Sequence, residues 1–417
     1  MKDLFNSDFF SGNRQNLKES RSTDVPIVLT ANGAVQRAGD SPFRFRQDSS
    51  FWYLTGLEEA ELVLVITGTT EFIILPERSA ILDVFDGTID TDELTKRSGI
   101  EKIYDHQAGW EQLRSLAVKY KKLYTGLYKG YDERHNIYNN PSKPRLVAQL
   151  KKLHSDITLL DIRRELAHLR MVKQEPEIAA IQQAIDITAK SLESVFKDGW
   201  SKKYKTEADL EREVTYEFAR NGSKIHAYPP IIASGKNGCT LHYMSNDQTV
   251  NLNELLLIDA GAEYSNYAAD ITRVYAPGAP TERQQAVYDA VLAIQKYTIG
   301  LLKPGVMMRD IEDKVEREIG RHLKTLGLIK KIDSNLIRKY YPHSFSHHLG
   351  LDVHDVADYS VALKAGNVIT VEPGIYIEEE NIGVRIEDDV LITEKGCKVL
   401  SADLPSRLRS PTIKAKL

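Results

Sequence analysis

The sequence predicts an α/β (α+β) protein built from two domains. Its 417 residues exceed the length of one ordinary hydrophobic core, so two domains are expected. In the first part of the chain, short apolar runs bounded by Gly and Pro precede amphipathic segments, as in a mixed α/β unit. The second part repeats one order of elements, in which two helices precede strands that carry acidic residues.

The first domain is predicted to span residues 1–165. A short helix is expected at 9–20. Apolar runs bounded by turn residues predict strands at 26–31, 51–55, 61–67 and 71–76. Weaker amphipathic patterns predict helices at about 79–85, 91–97, 109–119 and 144–154. We find no cluster of metal-ligating residue types in this part of the sequence.

The second domain is predicted to span residues 166–417. The highly charged run 161–177 indicates a hinge between the domains, and Pro176 suits the first turn of the next helix. Apolar residues at helical spacing predict that helix at about 178–195. Thr206 is the expected N-cap of a second helix, which should end at Asn221.

The same order of elements then recurs. Thr281 and Gln284 form a capping box that opens a helix reaching to about Leu302, and another helix is expected at about 308–326. Each pair of helices is followed by strands that carry acids. We therefore expect two related halves that face each other across one sheet and bring their acids to one point.

Composition excludes several classes of function. Lys and Arg number 55 against 59 Asp and Glu, a net charge of -4 that predicts no nucleic-acid or anionic-membrane partner. The chain has only 2 cysteines, which predicts no disulfide framework and fits a cytoplasmic location. The acidic start of the sequence is unlike a signal peptide, and no apolar run approaches the roughly 20 residues of a membrane span.

Four acidic residues carry the main functional signal. Asp259 and Glu372 each end an apolar run that reads as a buried strand, and Asp270 and Glu387 follow them. Buried carboxylates are costly unless they are paired, hydrogen-bonded or bound to metal. Taken singly, such an acid is more often a cap or turn residue. Together with the intervening histidine-rich run 342–355, the four acids favour a site for Mn²⁺, Co²⁺ or Zn²⁺.

Several stretches of the sequence match a known family. The chain resembles the pita-bread metallopeptidases of the Xaa-Pro aminopeptidase (aminopeptidase P) type in the segments 237–243, 257–262, 270–273, 346–355, 370–376 and 383–389. The run 43–56 is similar to the first domain of that family. The combined pattern covers nearly the whole chain and is far more specific than any single piece.

The resemblance implies a fold and a reaction. The fold would be an N-terminal creatinase-like α/β domain followed by a pita-bread domain with pseudo-twofold halves. The reaction would be hydrolysis of the N-terminal Xaa-Pro bond of peptides by a water or hydroxide that bridges two divalent ions, usually Mn²⁺. The implied partners are peptides with proline second and further copies of the chain, in a homodimer or homotetramer.

The resemblance also implies metal ligands. They are Asp259, Asp270, His347, Glu372 and Glu387, of which Asp270 and Glu387 fall at the bridging positions. His348 adjoins the expected ligand, but neighbouring side chains on a strand face opposite ways. The register of the motif favours His347 as the ligand and packing as the role of His348.

Further site residues are implied with other roles. Glu372 matches the group that accepts and passes on the proton. His242 and His354 match substrate-binding histidines that stabilise charge at the scissile peptide, and His343 matches another histidine of the pocket. Arg385 and Tyr376 match residues that brace the site by hydrogen bonds around Asp259.

Four other functions remain to be compared with this one. Prolidase, which cleaves only Xaa-Pro dipeptides, shares the fold and is the main alternative. A catalytically inactive relative that acts as a binding module is less favoured because every ligand type is present. The additional N-terminal domain argues against methionine aminopeptidase, and the intact ligand set argues against metal-free creatinase-like chemistry.

Overall fold

The chain divides into two compact units in this computed structural model, which describes residues 4–21, 24–133 and 135–409. The units are residues 1–169 and 170–417. The division falls within helix α7 (Arg163–Met171), so the charged segment expected to form a hinge is largely helical. The predicted boundary after residue 165 lies earlier in the same helix and stays a proposal.

The first unit is a mixed α/β structure. Its helices before α7 are α1 (Ser7–Glu19), α2 (Ser49–Thr55), α3 (Ala80–Asp86), α4 (Thr91–Ser98), α5 (His106–Tyr120) and α6 (Ser142–Lys151). Its strands are β1 (Ile27–Thr30), β2 (Gln36–Ala38), β3 (Ser41–Pro42), β4 (Val63–Ile66), β5 (Glu71–Ile74), β6 (Ile103–Tyr104), β7 (Lys122–Thr125), β8 (Tyr131–Asp132), β9 (Ile137–Tyr138) and β10 (Thr158–Asp161).

One sheet organises this unit. In the described part of the chain its strand order is β10-β7-β1-β4-β5-β6. Strand β1 pairs antiparallel with β4 and parallel with β7. Val28 and Val65 of the sheet belong to the same buried cluster as Leu113 of α5 and Leu146 of α6, so these two helices cover one face.

Most elements predicted in this unit are confirmed, but the strand predicted at 51–55 is wrong. That segment is helix α2, and every one of its residues is buried. The Asp48 side chain accepts a hydrogen bond from the Phe51 backbone at 2.8 Å, which caps the helix. A short helix that is buried all round shows no amphipathic period, so its sequence cannot be told from that of a buried strand.

The second unit contains the predicted repeat of helix pairs. Its helices are α8 (Glu175–Val195), α9 (Trp200–Lys203), α10 (Glu207–Arg220), α11 (Glu282–Ile299), α12 (Met308–Thr325) and α13 (Ser334–Tyr340). Its strands are β11 (Ile231–Ser234), β12 (Leu256–Asp259), β13 (Glu263–Tyr264), β14 (Tyr267–Ala268), β15 (Thr272–Tyr275), β16 (Val368–Val371), β17 (Gly374–Ile377), β18 (Ile382–Arg385), β19 (Asp388–Ile392) and β20 (Cys397–Val399).

Among the residues that the structure describes, the two halves form separate hydrogen-bonded sheets, contrary to expectation. The first half forms the sheet β11-β12-β15, and the second forms β16-β19-β20 with β17-β18 beside it. The halves are linked by individual contacts instead, such as the hydrogen bond from the Glu387 backbone N–H to the Thr272 carbonyl at 3.2 Å. No helix in the described ranges is both long enough and apolar enough to cross a membrane.

The histidine-rich run also differs from expectation, because it is not a regular strand. The backbone of His347 accepts a hydrogen bond from Thr370 N–H at 3.0 Å, and Phe345 accepts one from Glu372 N–H at 2.9 Å. This segment therefore lies along β16 without full ladder pairing. Residues 351–354 form a bend, so the end of the run is not a strand either.

The capping box of α11 offers a test of this fold. The Thr281 hydroxyl accepts from Gln284 N–H at 3.1 Å, and the Gln284 side chain accepts from Thr281 N–H at 2.8 Å. We expect Thr281→Ala to destabilise the protein by about 1 kcal/mol, seen as a lower thermal unfolding midpoint. Thr281→Ser keeps the acceptor and should melt like the wild type. Equal melting of the Ala and Ser variants would contradict this role.

Candidate metal centre

Strand pairing places the four predicted acids in two pairs. Asp259 ends β12 and lies opposite Thr272 of β15, whose strand starts just after Asp270. In the second half, Glu372 directly follows β16, and the partner strand β19 starts directly after Glu387. Antiparallel pairing thus brings the end of one strand beside the start of the next, with an acid at each.

The two pairs converge on one buried point. Ligand atoms of Asp270, His347 and Glu387 all lie within 4.8 Å of one another, an arrangement that could hold a metal ion. The Nε2 atom of His347 lies 3.3 Å from Asp270 Oδ2 and 3.5 Å from Glu372 Oε1. Asp259 joins the cluster through Tyr228, whose hydroxyl lies 2.5 Å from Asp259 Oδ1 and 2.6 Å from Asp270 Oδ1.

The backbone fixes which nitrogen of His347 faces the acids. Its Nδ1 lies 3.0 Å from the carbonyl oxygen of His348, so that nitrogen carries the proton and donates it. Nε2 therefore faces the carboxylates, where it can donate to Asp270 or, once deprotonated, offer its lone pair to a metal ion. His348 is buried on another side of the segment, with its ring centroid 5.6 Å from that of Tyr359.

A buried arginine braces the same cluster. Arg385 Nη2 donates to Asp259 Oδ2 at 2.5 Å, and Arg385 Nε donates to the Thr272 hydroxyl at 3.0 Å. That hydroxyl donates in turn to Glu387 Oε2 at 2.6 Å. The Tyr376 hydroxyl lies 3.1 Å from Arg385 Nη1, so Tyr376 reaches Asp259 only through the arginine.

Three histidines occupy the more open side of the cluster. His354 is exposed, and its ring centroid lies 4.2 Å from that of His347. His343 Nε2 lies 2.8 Å from the Tyr376 hydroxyl. His242 is exposed. Burial, the charge of Arg385 and, to a smaller extent, the charge of His242 lower the pKa of His343 to about 3, which keeps that imidazole neutral.

Burial, followed by the crowding of carboxylates, governs the pKa values in the cluster. Burial and the nearby Asp270, Glu372 and Asp259 raise the pKa of Glu387 well above its usual range. Burial raises the pKa of Glu372 to about 7, although His347 and Arg385 oppose that rise. Burial lowers the pKa of His347, but its hydrogen bond to Asp270 and the charge of Glu372 outweigh this and raise it to about 9.

These residues fit a divalent cation. Among the described residues, three buried carboxylates and the half-buried Glu372 share one arginine and one imidazole, so the cluster has excess negative charge in a poorly solvated place. Without a cation, protons must be retained to relieve the repulsion. Carboxylate oxygens and one imidazole nitrogen form a donor set that suits borderline-hard divalent ions.

Sequence reasoning missed three residues that contact the cluster: Tyr228, Thr272 and Asp389. Tyr228 bonds with acids far along the chain and has no motif of its own. Asp389 Oδ2 accepts from the Asp270 backbone N–H at 3.1 Å, a contact between the halves. Thr272 had a usable signal, because it stands two residues after Asp270 and thus begins β15 on the same side.

Comparison with known proteins places the chain in a family. The model of metallopeptidase family M24 matches residues 179–394, which include all five predicted ligands. The chain belongs to metallopeptidase family M24. A second model, the N-terminal domain of aminopeptidase P, matches residues 10–124.

Two bacterial Xaa-Pro aminopeptidases resemble the chain over almost its full length. It is 35% identical to the Xaa-Pro aminopeptidase of Haemophilus influenzae, over 94% of this chain and 95% of that protein. It is 33% identical to the Xaa-Pro aminopeptidase of Escherichia coli, over 95% of this chain and 94% of that protein.

Solved structures agree with the sequence matches. Aminopeptidase P from Escherichia coli with the inhibitor Pro-Leu superimposes with a TM-score of 0.85 at 30% identity, over 96% of both chains. Proline aminopeptidase P II from Yersinia pestis gives a TM-score of 0.84 at 30% identity, over 96% of this chain and 97% of that chain. The predicted α/β class, with an N-terminal domain and a pita-bread domain, is confirmed.

Thr272 allows a test of how the cluster is supported. Thr272→Val keeps the shape but removes the hydroxyl that donates to Glu387 and accepts from Arg385. We expect Mn²⁺ to bind about 10- to 100-fold more weakly to this variant, measured by calorimetric titration of metal-stripped protein. Thr272→Ser is the matched control and should bind like the wild type. Unchanged affinity in the Val variant would show that the hydroxyl does not support the ligands.

Proposed function

We propose that this chain is an Xaa-Pro aminopeptidase, which removes the N-terminal residue from peptides whose second residue is proline. The observation that carries the proposal is the full-length similarity to named Xaa-Pro aminopeptidases, combined with a buried cluster of acids and a histidine in the family M24 unit. A metalloexopeptidase is the class of enzyme that both observations support.

The proposed metal ligands are Asp259, Asp270, His347, Glu372 and Glu387. The mutual proximity of Asp270, His347 and Glu387 supports three of them directly. Glu372 is supported by its 3.5 Å approach to His347, and Asp259 by the Tyr228 hydroxyl that it shares with Asp270. Such a carboxylate-rich set favours two Mn²⁺ ions, with Co²⁺ or Zn²⁺ as alternatives.

The ions would supply Lewis acidity toward the scissile carbonyl and lower the pKa of a water molecule. Glu372 is proposed to accept and pass on the proton of the reaction. Its side chain is 17% exposed, compared with 7% for Asp270 and 2% for Glu387, so among these it exchanges protons with solvent most readily. The remaining acids stay enclosed and serve only as ligands.

The surrounding residues are proposed to bind and orient the peptide. His242 and His354 are exposed beside the cluster, where they could donate to the peptide carbonyl as negative charge develops. His343, held by Tyr376, would line the same pocket. Arg385 contacts Asp259 and Tyr376, so we assign it and Tyr376 to holding the site in shape.

Proline explains why such a site is useful. An Xaa-Pro bond is a tertiary amide and has no N–H. A peptidase that recognises its substrate through that donor therefore binds this bond poorly. A site that acts on the carbonyl through cations and histidines does not need the donor, which matches the groups gathered here.

The relatives favour an aminopeptidase over prolidase. Those of Haemophilus influenzae and Escherichia coli are both named Xaa-Pro aminopeptidases. Residues 10–124 match a domain named after aminopeptidase P, which also argues against methionine aminopeptidase. All five proposed ligand types are in place, which argues against an inactive binding relative.

Location and assembly are further parts of the proposal. Cys239 and Cys397 are both free, in keeping with the reducing cytoplasm. Helix α3 has no buried residue, and Ile81, Val84 and Phe85 are 68%, 83% and 79% exposed. An apolar patch of this kind is typical of a protein interface, which supports a homodimer or homotetramer built through the first unit.

The preferred length of the peptide substrate distinguishes the proposed aminopeptidase from a prolidase. We expect the Mn²⁺-loaded enzyme to release arginine from Arg-Pro-Pro and from longer Arg-Pro peptides, and to act poorly on the dipeptide Gly-Pro. Arg-Ala-Ala is the matched control, which should be cleaved poorly because it lacks proline. The products can be separated and quantified by liquid chromatography. Hydrolysis of Gly-Pro without hydrolysis of the longer Arg-Pro peptides would contradict the aminopeptidase assignment and favour prolidase.

A further inference from the structure

We propose that Glu207 is a positioning residue, which holds the His242 loop (residues 235–248) in the geometry that the peptidase reaction needs. The inference rests on the proposed function, because it assigns Glu207 a role through His242. Glu207 is the first residue of α10, and its side chain is wholly buried. It is not one of the acids of the metal cluster.

The Glu207 carboxylate accepts four hydrogen bonds. Oε1 accepts from the Ser234 backbone N–H at 2.8 Å and from Asn237 Nδ2 at 2.9 Å. Oε2 accepts from the Tyr243 hydroxyl at 2.7 Å and from the Gln248 backbone N–H at 3.0 Å. These donors span the loop from the strand before it to its far end, so one carboxylate ties the whole loop to α10.

The contacts lie on both sides of His242 in sequence. Asn237 precedes it and Tyr243 directly follows it, and both side chains point to the same carboxylate. The Glu207 backbone N–H donates to the Gln248 carbonyl at 2.9 Å, which doubles the link to the end of the loop. The imidazole of His242 itself remains exposed.

The loop also packs directly on a strand of the metal centre. A Cβ atom at Gly383 would lie 2.1 Å from the Gly238 carbonyl oxygen, so only glycine permits this approach of the loop to β18. Strand β18 ends at Arg385, which contacts Asp259. Fixing the loop against α10 and β18 therefore fixes His242 relative to the proposed ligands.

The contacts of Glu207 suit a side chain with two acceptor oxygens in this place. All four donors are neutral groups, and no ion pair with Glu207 occurs among the residues that the structure describes. Hydrogen bonds to a carboxylate are stronger than those between neutral groups, and the N-terminus of a helix stabilises negative charge. A glutamine of the same shape would turn its NH₂ group toward two of the four donors.

The experiment is a double-mutant cycle on the Mn²⁺-loaded full-length enzyme. Glu207→Gln and the milder Tyr243→Phe are each made alone and together with His242→Ala. For every variant, kcat and KM for Arg-Pro-Pro are measured and normalised to bound Mn²⁺, which corrects for loss of folded enzyme. Glu217→Gln is the matched control, because it alters another buried glutamate of α10 that pairs with Arg220 instead of the loop.

We expect Glu207→Gln to lower kcat/KM about tenfold or more, and Tyr243→Phe to lower it by a smaller factor. Both losses should disappear in the His242→Ala background, since a residue that acts through His242 has no effect once His242 is gone. Glu217→Gln should leave kcat/KM unchanged. If Glu207→Gln does not fold, the Tyr243→Phe cycle gives the same comparison.

Two results would overturn the proposal. Glu207→Gln could lower kcat/KM by the same factor in the wild-type and His242→Ala backgrounds. That result would show that Glu207 acts independently of the histidine, as a general structural residue does. A wild-type enzyme that leaves Arg-Pro-Pro intact would refute the proposed function and this inference together. The first result requires an active wild type, so the two failures are distinguishable.

Discussion

The need to neutralise four closely spaced carboxylates, three of them buried, is the constraint on which the rest of this structure depends. Asp259, Asp270, Glu372 and Glu387 converge from two halves of the second unit, and a single arginine and a single imidazole lie among them. Like charges at this distance and depth cannot all remain ionised without further positive charge. The fold that brings the four acids together therefore suits divalent cations, and the proposed peptide hydrolysis depends on those cations.

Residues that hydrogen-bond to the proposed ligands hold the cluster in a fixed geometry. Thr272 is bonded to both Arg385 and Glu387, while Asp389 binds the backbone of Asp270, so each half fixes a ligand of the other. The backbone carbonyl of His348 sets the tautomer of His347. Away from this cluster, Glu207 supports the His242 loop as these residues support the proposed ligands, again through hydrogen bonds.

Prediction from sequence succeeded where the signal was local. The ends of β12 and β16 at Asp259 and Glu372, and the capping boxes of α10 and α11, follow from apolar runs and cap residues. Convergence of the two acid pairs was expected from the repeat of elements, but the individual ligands were assigned only by family resemblance, because pairing between distant segments leaves no periodic trace. Helix α2 was mistaken for a strand since it is buried all round. Sequence analysis did not identify Tyr228 and Glu207, because their hydrogen-bond partners lie 31 and 27 residues away and neither residue belongs to a motif.

Metal content tests the central claim most directly. The protein is purified without added metal, dialysed, and analysed by mass spectrometry for bound divalent ions, and its thermal unfolding is then compared in stripped and Mn²⁺-loaded forms. We predict two divalent ions per fully loaded chain and a higher unfolding midpoint for the loaded form, because a cation that binds only the folded state stabilises it. A chain that retains no divalent ion, and whose unfolding midpoint Mn²⁺ does not raise, would contradict the account.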